Sequence, residues 1–595
     1  MIDIQKLRAI SEPKLLVLGN HEGIVQSILD FDVLANKQKP SVVGIVGTPR
    51  RWLRYFWGDK EILVPGFVSL DTLHDEGRQA QLFITAQSGR RAVVASEEAL
   101  KRLPSIHGGM IFAEGVPERH ALSLHKTTKQ LKKFILGPAS VGLTIGGSFK
   151  LGPIGGTLPE QIVDSSIILP GNTAIISTSG GMVNELINFV TTSGGGISFA
   201  AAVGGERYPL TSPVDLVAQA FADPQTKNVV YFGELGGIDE YDVARFLQKT
   251  KQPKQFIAYI AGSIAQYFDQ TPQFGHAKAL AQNKTETALA KRELLRRAGA
   301  YVATSFVDFE DKISSLPKIK NNAARMTKAR QQVSRMRSRR SALFVNSVSS
   351  DKGGEVKILG SSLADFVSKR SLSDVALCMF LGTSSVSRRL ADFFDTSVKL
   401  LVDHGPQVSG AVNTMITARA GKDLSAALAS GILTIGPRFG GALGQAAEGW
   451  FRSVNVGETP TDYVERFAKS KQYIAGIGHK KYSANNPDPR VELLLSKYDK
   501  GGKYTNFAKK VANITTQKKA QLILNVDGAI AALLLDILDK DERYSSSQIK
   551  DLLSTDFCNA IFIYARSVGF TAHFLEQQRL DEGLFRMPDD QISSL

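Results

Sequence analysis

Two groups of turn-borne side chains in this sequence are suited to chemistry. In Pro272-Gln273-Phe274-Gly275-His276-Ala277-Lys278 an imidazole follows a glycine and precedes a helix expected over Ala279 to Ala298. A histidine held on such a turn is neutral and basic near pH 7, so it can act as a nucleophile toward phosphate. The same placement suits a loop histidine bonded to its own backbone. The second group lies in Val402-Asp403-His404-Gly405-Pro406, Gly476-Ile477-Gly478-His479-Lys480, Asn485-Asn486-Pro487-Asp488-Pro489-Arg490 and Asn525-Val526-Asp527-Gly528. His404, His479 and Asp527 on glycine- or proline-marked turns suit proton transfer beside a carbonyl. Arg490 and Arg566 suit a bidentate grip on carboxylates. Three capping residues and two surface arginines would give the same pattern.

The elements around the first group alternate strand and helix. Leu15 to Gly19 reads as a strand, followed by Asn20-His21-Glu22-Gly23 and a helix from Ile24 to Asp30. Glycine at such a turn, here Gly19, lets a phosphate approach a helix N-terminus. Ser41 to Gly47 and Leu82 to Thr85 follow as strands. After the latter, Ser88-Gly89-Arg90-Arg91 offers a small-residue turn and two cations to an anion such as a CoA phosphate, or a solvated surface pair. A strand from Gly109 to Ala113 ends at Glu114, which places that carboxylate at the crevice edge of a parallel sheet. The Gly/Pro-rich run from Leu136 to Gly156 marks a boundary near residue 140. The alternation then restarts. Thr173 to Ser177 leads into Ser179-Gly180-Gly181, whose amides and helix dipole suit an anion. Val229 to Phe232 leads to Glu234, and Phe256 to Ala261 leads to the His276 turn.

From about Leu343 helical periodicity takes over, after a β-rich lead over Ala342 to Val348. Helices are expected over 362–368, 373–381, 384–400, 409–429, 439–455, 459–469, 505–515, 527–540, 545–552 and 557–580. The fold class is therefore two α/β domains followed by an all-α domain, with residues 1–140, 141–310 and 343–595 as domains and 311–342 as a basic linker.

A chain of 595 residues with 43% hydrophobic and 22% charged content is globular and multidomain. It has no apolar run long enough for a membrane helix and no secretory apolar core at its start. Two cysteines, Cys378 and Cys558, exclude a disulfide framework and suit free thiols in a reducing, cytoplasmic setting. Net charge is +15, and ten Lys or Arg with no acid fall between Lys312 and Arg340. A solvated helix or linker is the first expectation there, docking on an acidic subunit the second and nucleic acid the third, since no aromatic residue interleaves.

Gly275-His276-Ala277, Gly233-Glu234-Leu235-Gly236-Gly237 and Glu114-Gly115-Val116-Pro117 resemble the α-subunit of the succinyl-CoA synthetase group. Asp403 to Pro406, Gly476 to His479 and Asn525 to Gly528 resemble citrate synthase. The two in this order resemble the C-terminal part of ATP-citrate lyase, as do Tyr55 to Ile62, Ala418 to Leu424 and Leu433 to Leu443. Two departures stand out: Lys480 replaces the arginine usual after Gly-Ile-Gly-His, and Val412 stands where a histidine is common.

The resemblance implies a Rossmann-like CoA-binding domain, a flavodoxin-like ligase domain and a citrate synthase-like citryl-CoA lyase domain. It implies an α-subunit whose ATP and Mg2+ are bound by an ATP-grasp β-subunit, in a hetero-oligomer expected as α4β4 that self-associates through the helical domain. His276 would carry phosphate to citrate, with Glu114 or Glu234 holding its other ring nitrogen and Ser179, Gly180 and Gly181 holding the phosphoryl oxygens. CoA contacts would come from Gly19, Ser88, Arg90, Arg91 and Lys480. His479 would take the citryl hydroxyl proton, His404 would hydrogen-bond the thioester oxygen, and Asp527 would return a proton to the acetyl carbon. The alternatives are a CoA ligase for another dicarboxylate with a non-catalytic helical domain, and an assembly subunit that touches nucleic acid.

Overall fold

The computed structural model of the chain describes residues 2–250, 254–268, 280–319, 323–351, 354–436 and 442–595. Its contacts divide into two compact units, Met1–Leu343 and Phe344–Leu595.

The first unit holds two seven-stranded sheets. In the first, β1 (Leu15–Leu18), β2 (Val42–Val46), β3 (Trp52–Trp57), β4 (Lys60–Phe67), β5 (Leu82–Thr85), β6 (Gly108–Ile111) and β7 (Phe134–Leu136) lie in the order β3-β4-β2-β1-β5-β6-β7. All neighbours are parallel except the β3–β4 hairpin. The inner strands are buried on both faces, as helices packed on each side require. The second sheet contains β8 (Leu143–Ile145), β9 (Phe149–Leu151), β10 (Thr173–Ser177), β11 (Ile197–Ala202), β12 (Asn228–Glu234), β13 (Gln255–Ala261) and β14 (Tyr301–Val302). Its order is β14-β13-β12-β10-β11-β8-β9, with β8 and β9 antiparallel. One apolar cluster runs through both sheets, from Leu15 and Ile28 to Phe149, Phe199 and Tyr231.

The basic segment 311–342 is not a free linker. Its helix Ala323–Met336 buries Met326, Ala329, Val333 and Met336 against Phe31, Leu34 and Ile162. Three of its cations are used internally: Arg325 donates to the Leu34 carbonyl, Arg337 pairs with Glu160 at 2.8 Å, and Arg339 grips Asp30. An apolar position every third or fourth residue, hidden among arginines, makes this a packed helix.

Among the described residues the second unit is helical apart from three two-residue strands, Ser349–Ser350, Lys357–Ile358 and Ser361–Ser362. The apolar lead 342–348 forms no strand, and Leu343 and Phe344 are exposed. The helix expected over 409–429 is two, Ser409–Arg419 and Leu424–Ile432. Gly421 at φ 76° ends the first, and the Asp423 side chain caps the second. A helix at Pro489–Tyr498 follows a stretch read as loop, with Pro489 at its first position and Asp488 as its cap. The core centres on Val526–Lys540, which is buried on nearly every face among Trp450, Tyr504 and Phe562.

Candidate functional sites

In the first unit, the expected ligand-facing residues lie at carboxyl ends of strands. Gly19 follows β1 at φ 87°, and a Cβ there would stand 2.7 Å from Gln87 Cγ in the turn after β5. A backbone this close to its neighbour turn needs glycine. Ser88, Arg90 and Arg91 are exposed at the start of the helix Gly89–Arg102, at that same edge. Glu114 is exposed after β6, where the adjoining Gly115 amide donates to Glu206 Oε1 at 2.8 Å.

In the second sheet, Ser179 caps the helix Gly180–Thr192. Ser177 Oγ donates to the Ser179 carbonyl at 2.8 Å and accepts its amide at 3.1 Å, which fixes the turn. A Cβ on Gly181 would meet nothing within 4 Å, so that helix end is open. Glu234 is buried at the end of β12. Fully buried Lys291 donates to the carbonyls of Glu234 and Gly236 at 2.9 and 2.7 Å and pairs with Glu240 at 2.6 Å. Sequence reasoning missed this lysine, because nothing in the spacing of a helix marks a lysine as buried.

His276 lies outside the described residues. The chain leading into that segment leaves β13, and the chain beyond it sits on Gly236, whose amide donates to the Glu286 carbonyl at 2.9 Å. The helix expected from Ala279 begins instead at Ala288, capped by Thr287. Asn283 takes Thr285 into a 3-10 turn before it, an example of Asn and Thr side chains competing with a helix for its amides.

In the helical unit one pocket gathers its expected residues. Arg490 Nη1 stands 3.3 Å from His404 Nδ1, and Arg490 Nη2 stands 3.3 Å from His479 Nε2. The two imidazole centroids are 6.4 Å apart. Arg490 is itself held by buried Asp488 through Nε at 3.0 Å and Nη2 at 2.7 Å. Thus Arg490 orients both histidines from a fixed support as well as offering charge to a substrate. Burial raises the Asp488 carboxyl, but the bonds from Arg490 bring it below the usual carboxylate range.

His479 reaches the pocket through a close backbone crossing. The Gly478 amide donates to the Ile523 carbonyl at 2.7 Å, and Asn525 Nδ2 donates to the Gly478 carbonyl at 3.1 Å. A Cβ on Gly528 would stand 2.4 Å from the Gly476 carbonyl oxygen, so the loop carrying His479 lies directly on the helix start carrying Asp527. The Lys481 and Tyr482 amides both donate to His479 Nδ1 at 3.0 Å. With Arg490 Nη2 facing Nε2, both ring nitrogens of His479 meet donors, which favours the neutral ring over the imidazolium. His404, whose Nδ1 faces the Arg490 donor, keeps its Nε2–H for an acceptor. Burial first, then Arg490, Arg566 and His479, lowers His404 below the ordinary histidine value. Burial also lowers His479, with Asp488 opposing and Arg490 assisting.

Asp527 Oδ1 is buried and accepts no hydrogen bond. Burial pushes its carboxyl up to about 6, opposed by Arg566 and Arg490. Arg566 is 3% exposed, stacks over Phe562 at 4.9 Å, and keeps Nε and Nη1 without a partner. Desolvated guanidinium donors left open suit an incoming carboxylate. Lys480 is exposed beside this pocket on the turn after His479. Sequence reasoning did not assign Asp403, Asp488 or His573. The signal for Asp488 was available, since Asp-Pro-Arg is a cap followed by the residue it can bond.

A nucleotide-binding-like sheet, a second sheet with an anion-ready helix end, and a helical pocket of two histidines, an aspartate and two arginines define a CoA-ligase module ahead of a citrate synthase-like domain. Residues 176–301 match the CoA-ligase family, and residues 293–587 match the citrate synthase C-terminal domain. The chain is 36% identical to probable ATP-citrate synthase subunit 1 of Neurospora crassa, over 98% of this chain and 89% of that protein. It is 34% identical to ATP-citrate synthase of Homo sapiens, over 98% of this chain and 54% of that one. Among solved structures, ATP citrate lyase from Methanothrix soehngenii in complex with citrate and coenzyme A is similar at 34% identity and a TM-score of 0.50, over 98% and 97% of the two chains. The chain belongs to the ATP-citrate synthase, or ATP-citrate lyase, family.

Proposed function

We propose that this chain catalyses cleavage of citrate with CoA to acetyl-CoA and oxaloacetate, together with an ATP-grasp subunit that binds ATP and Mg2+. The observation that carries the reading is the Arg490 bridge between His404 and His479, in a pocket where Arg566 and Asp527 both have open valences. Arg566 binds a substrate carboxylate. Arg490 donates to the citryl hydroxyl oxygen, lowering its pKa, and neutral His479 takes the hydroxyl proton as the carbon–carbon bond breaks. His404 Nε2–H donates to the thioester oxygen as enolate character develops. Asp527, with a carboxyl that titrates at about 6, delivers a proton to the acetyl carbon.

In the first unit, His276 carries the phosphoryl group, Glu234 or Glu114 orients it, and Ser179, Gly180 and Gly181 bind its oxygens. CoA lies at the edge formed by Gly19, Ser88, Arg90 and Arg91, with Lys480 available to its phosphates at the lyase site. The catalytic assembly is a hetero-oligomer, expected as α4β4. A helical unit serving only for assembly would have no use for a buried arginine with unpaired donors, which disfavours the plain-ligase alternative.

The test is to mix the purified chain with an ATP-grasp partner and assay oxaloacetate from ATP, citrate and CoA. Release is expected, and His276→Ala is expected to abolish it. Turnover by His276→Ala at the wild-type rate would refute the phosphoryl-carrier role.

A further inference from the structure

The helix Phe557–Arg579 turns one face onto the backbone that leads into His404. A Cβ on Gly569 would stand 2.1 Å from the Val402 carbonyl oxygen, so helix and carbonyl are in direct contact. Arg566 and His573 lie three residues before and four after Gly569, hence on that same face. His573 Nε2 meets Asp403 Oδ1 at 3.1 Å, and its Nδ1 is 3.8 Å from Glu576 Oε2. The Gly405 amide donates to Asp403 Oδ2 at 2.9 Å, and the His404 amide also bonds this carboxylate. Asp403 and Asp527 are the carboxylates whose charge Arg566 feels, yet Arg566 Nε and Nη1 have no partner. A carboxylate near a desolvated guanidinium ordinarily pairs with it. Asp403 does not, because His573 and two amides hold its oxygens.

We propose that His573 is a positioning residue that holds Asp403 away from Arg566, preserving two buried donors for a substrate carboxylate and fixing the turn that presents His404. This rests on reading the pocket as a citryl-CoA site. Without His573, Asp403 Oδ1 is free to rotate onto Arg566 and neutralise it before substrate arrives. The proposal therefore predicts an effect on ligand affinity that a second substitution reverses.

Oxaloacetate binding to the full chain, measured by calorimetry, is the probe. His573→Ala is expected to weaken it about tenfold or more, the scale of a lost hydrogen bond to a charged group, and to raise KM for citryl-CoA in parallel. His573→Ala combined with Asp403→Asn is expected to restore affinity, because a carboxamide cannot neutralise Arg566. His573→Gln, whose amide can still donate to Asp403, is expected to stay near wild type. If His573→Ala does not fold, His573→Phe, which keeps ring volume without the donor, takes its place. Wild-type affinity in the single variant, no recovery in the double variant, or no oxaloacetate binding by the wild type would each overturn the proposal. A wild type that binds oxaloacetate but releases none from citryl-CoA would count against the catalytic reading alone, since the His573 comparison is decided by calorimetry.

Discussion

Replacing Asp527 by asparagine should stabilise the protein while disabling it. The carboxylate is buried, its Oδ1 accepts no hydrogen bond, and its carboxyl is raised from 3.8 to about 6. The sign follows from proton counts. Below about pH 4 the side chain is protonated in both folded and unfolded chains. Between about 4 and 6 the folded chain keeps a proton that the unfolded chain has lost, so stability falls as pH rises, and above about 6 the loss is complete. The gap corresponds to about 3 kcal/mol, taken as an upper figure. Asparagine has the same shape and no charge to desolvate. The difference in stability between Asp527→Asn and wild type should be near zero at pH 4, grow through pH 6 and level off above pH 7. For a helical unit of this size, about 2–4 °C in apparent Tm accompanies each kcal/mol, so several degrees are expected at pH 8 in parallel thermal melts. Citryl-CoA cleavage should fall by roughly 10²–10⁴-fold, the usual cost of losing a proton-transfer group. A variant no more stable than wild type at pH 8 would refute the claim that Asp527 is held charged at a cost. Retained cleavage would refute its proton-transfer role.

Arg490→Ala should destabilise the helical unit by about 3 kcal/mol, because it strands the buried Asp488 carboxylate; denaturant unfolding measures this, and a change under about 0.5 kcal/mol, the scale of a neutral surface change, would contradict it. In the wild type, burial and neighbouring cations lower both histidines, so the acid limb of kcat/KM for citryl-CoA should lie below pH 6.5. Arg490→Ala should move any remaining limb upward, and a wild-type limb at or above 6.5 would show that the histidines are not held neutral. Gly528→Ala places a Cβ 2.4 Å from the Gly476 carbonyl and should cost about 1–3 kcal/mol while lowering kcat by separating His479 from Asp527. A variant with wild-type Tm and kcat would mean the crossing is not as tight as described.

Where hydrophobic period and turn chemistry agreed, the chain was legible. The strands β1, β2, β5, β6, β10, β12 and β13 and the helices 459–469, 527–540 and 557–580 fall within a few residues of expectation, because full burial or a clear amphipathic stripe leaves one solution, whereas β11 went unread. The β3–β4 hairpin and the helix Pro489–Tyr498 went unseen; the second was hidden by a proline-rich start that also reads as loop. The basic segment misled for a simpler reason. Its arginines dominated the composition, whereas Met326, Ala329, Val333 and Met336 decided the packing. In the helical pocket, His404, His479, Asp527, Arg490 and Arg566 were each readable as residues on turns or helices able to do chemistry. Their connection through Arg490 was not readable, because it depends on tertiary contacts between residues 86 and 11 positions apart. Nor were the two backbone amides on His479 Nδ1, which no side-chain pattern could reveal.

The most direct measurement supplies citryl-CoA to the purified chain without ATP or a partner subunit and follows oxaloacetate with time. The account predicts steady release from the helical pocket that survives His276→Ala and is lost in Asp527→Asn. No release from wild type under these conditions, with citryl-CoA bound at the pocket, would contradict it.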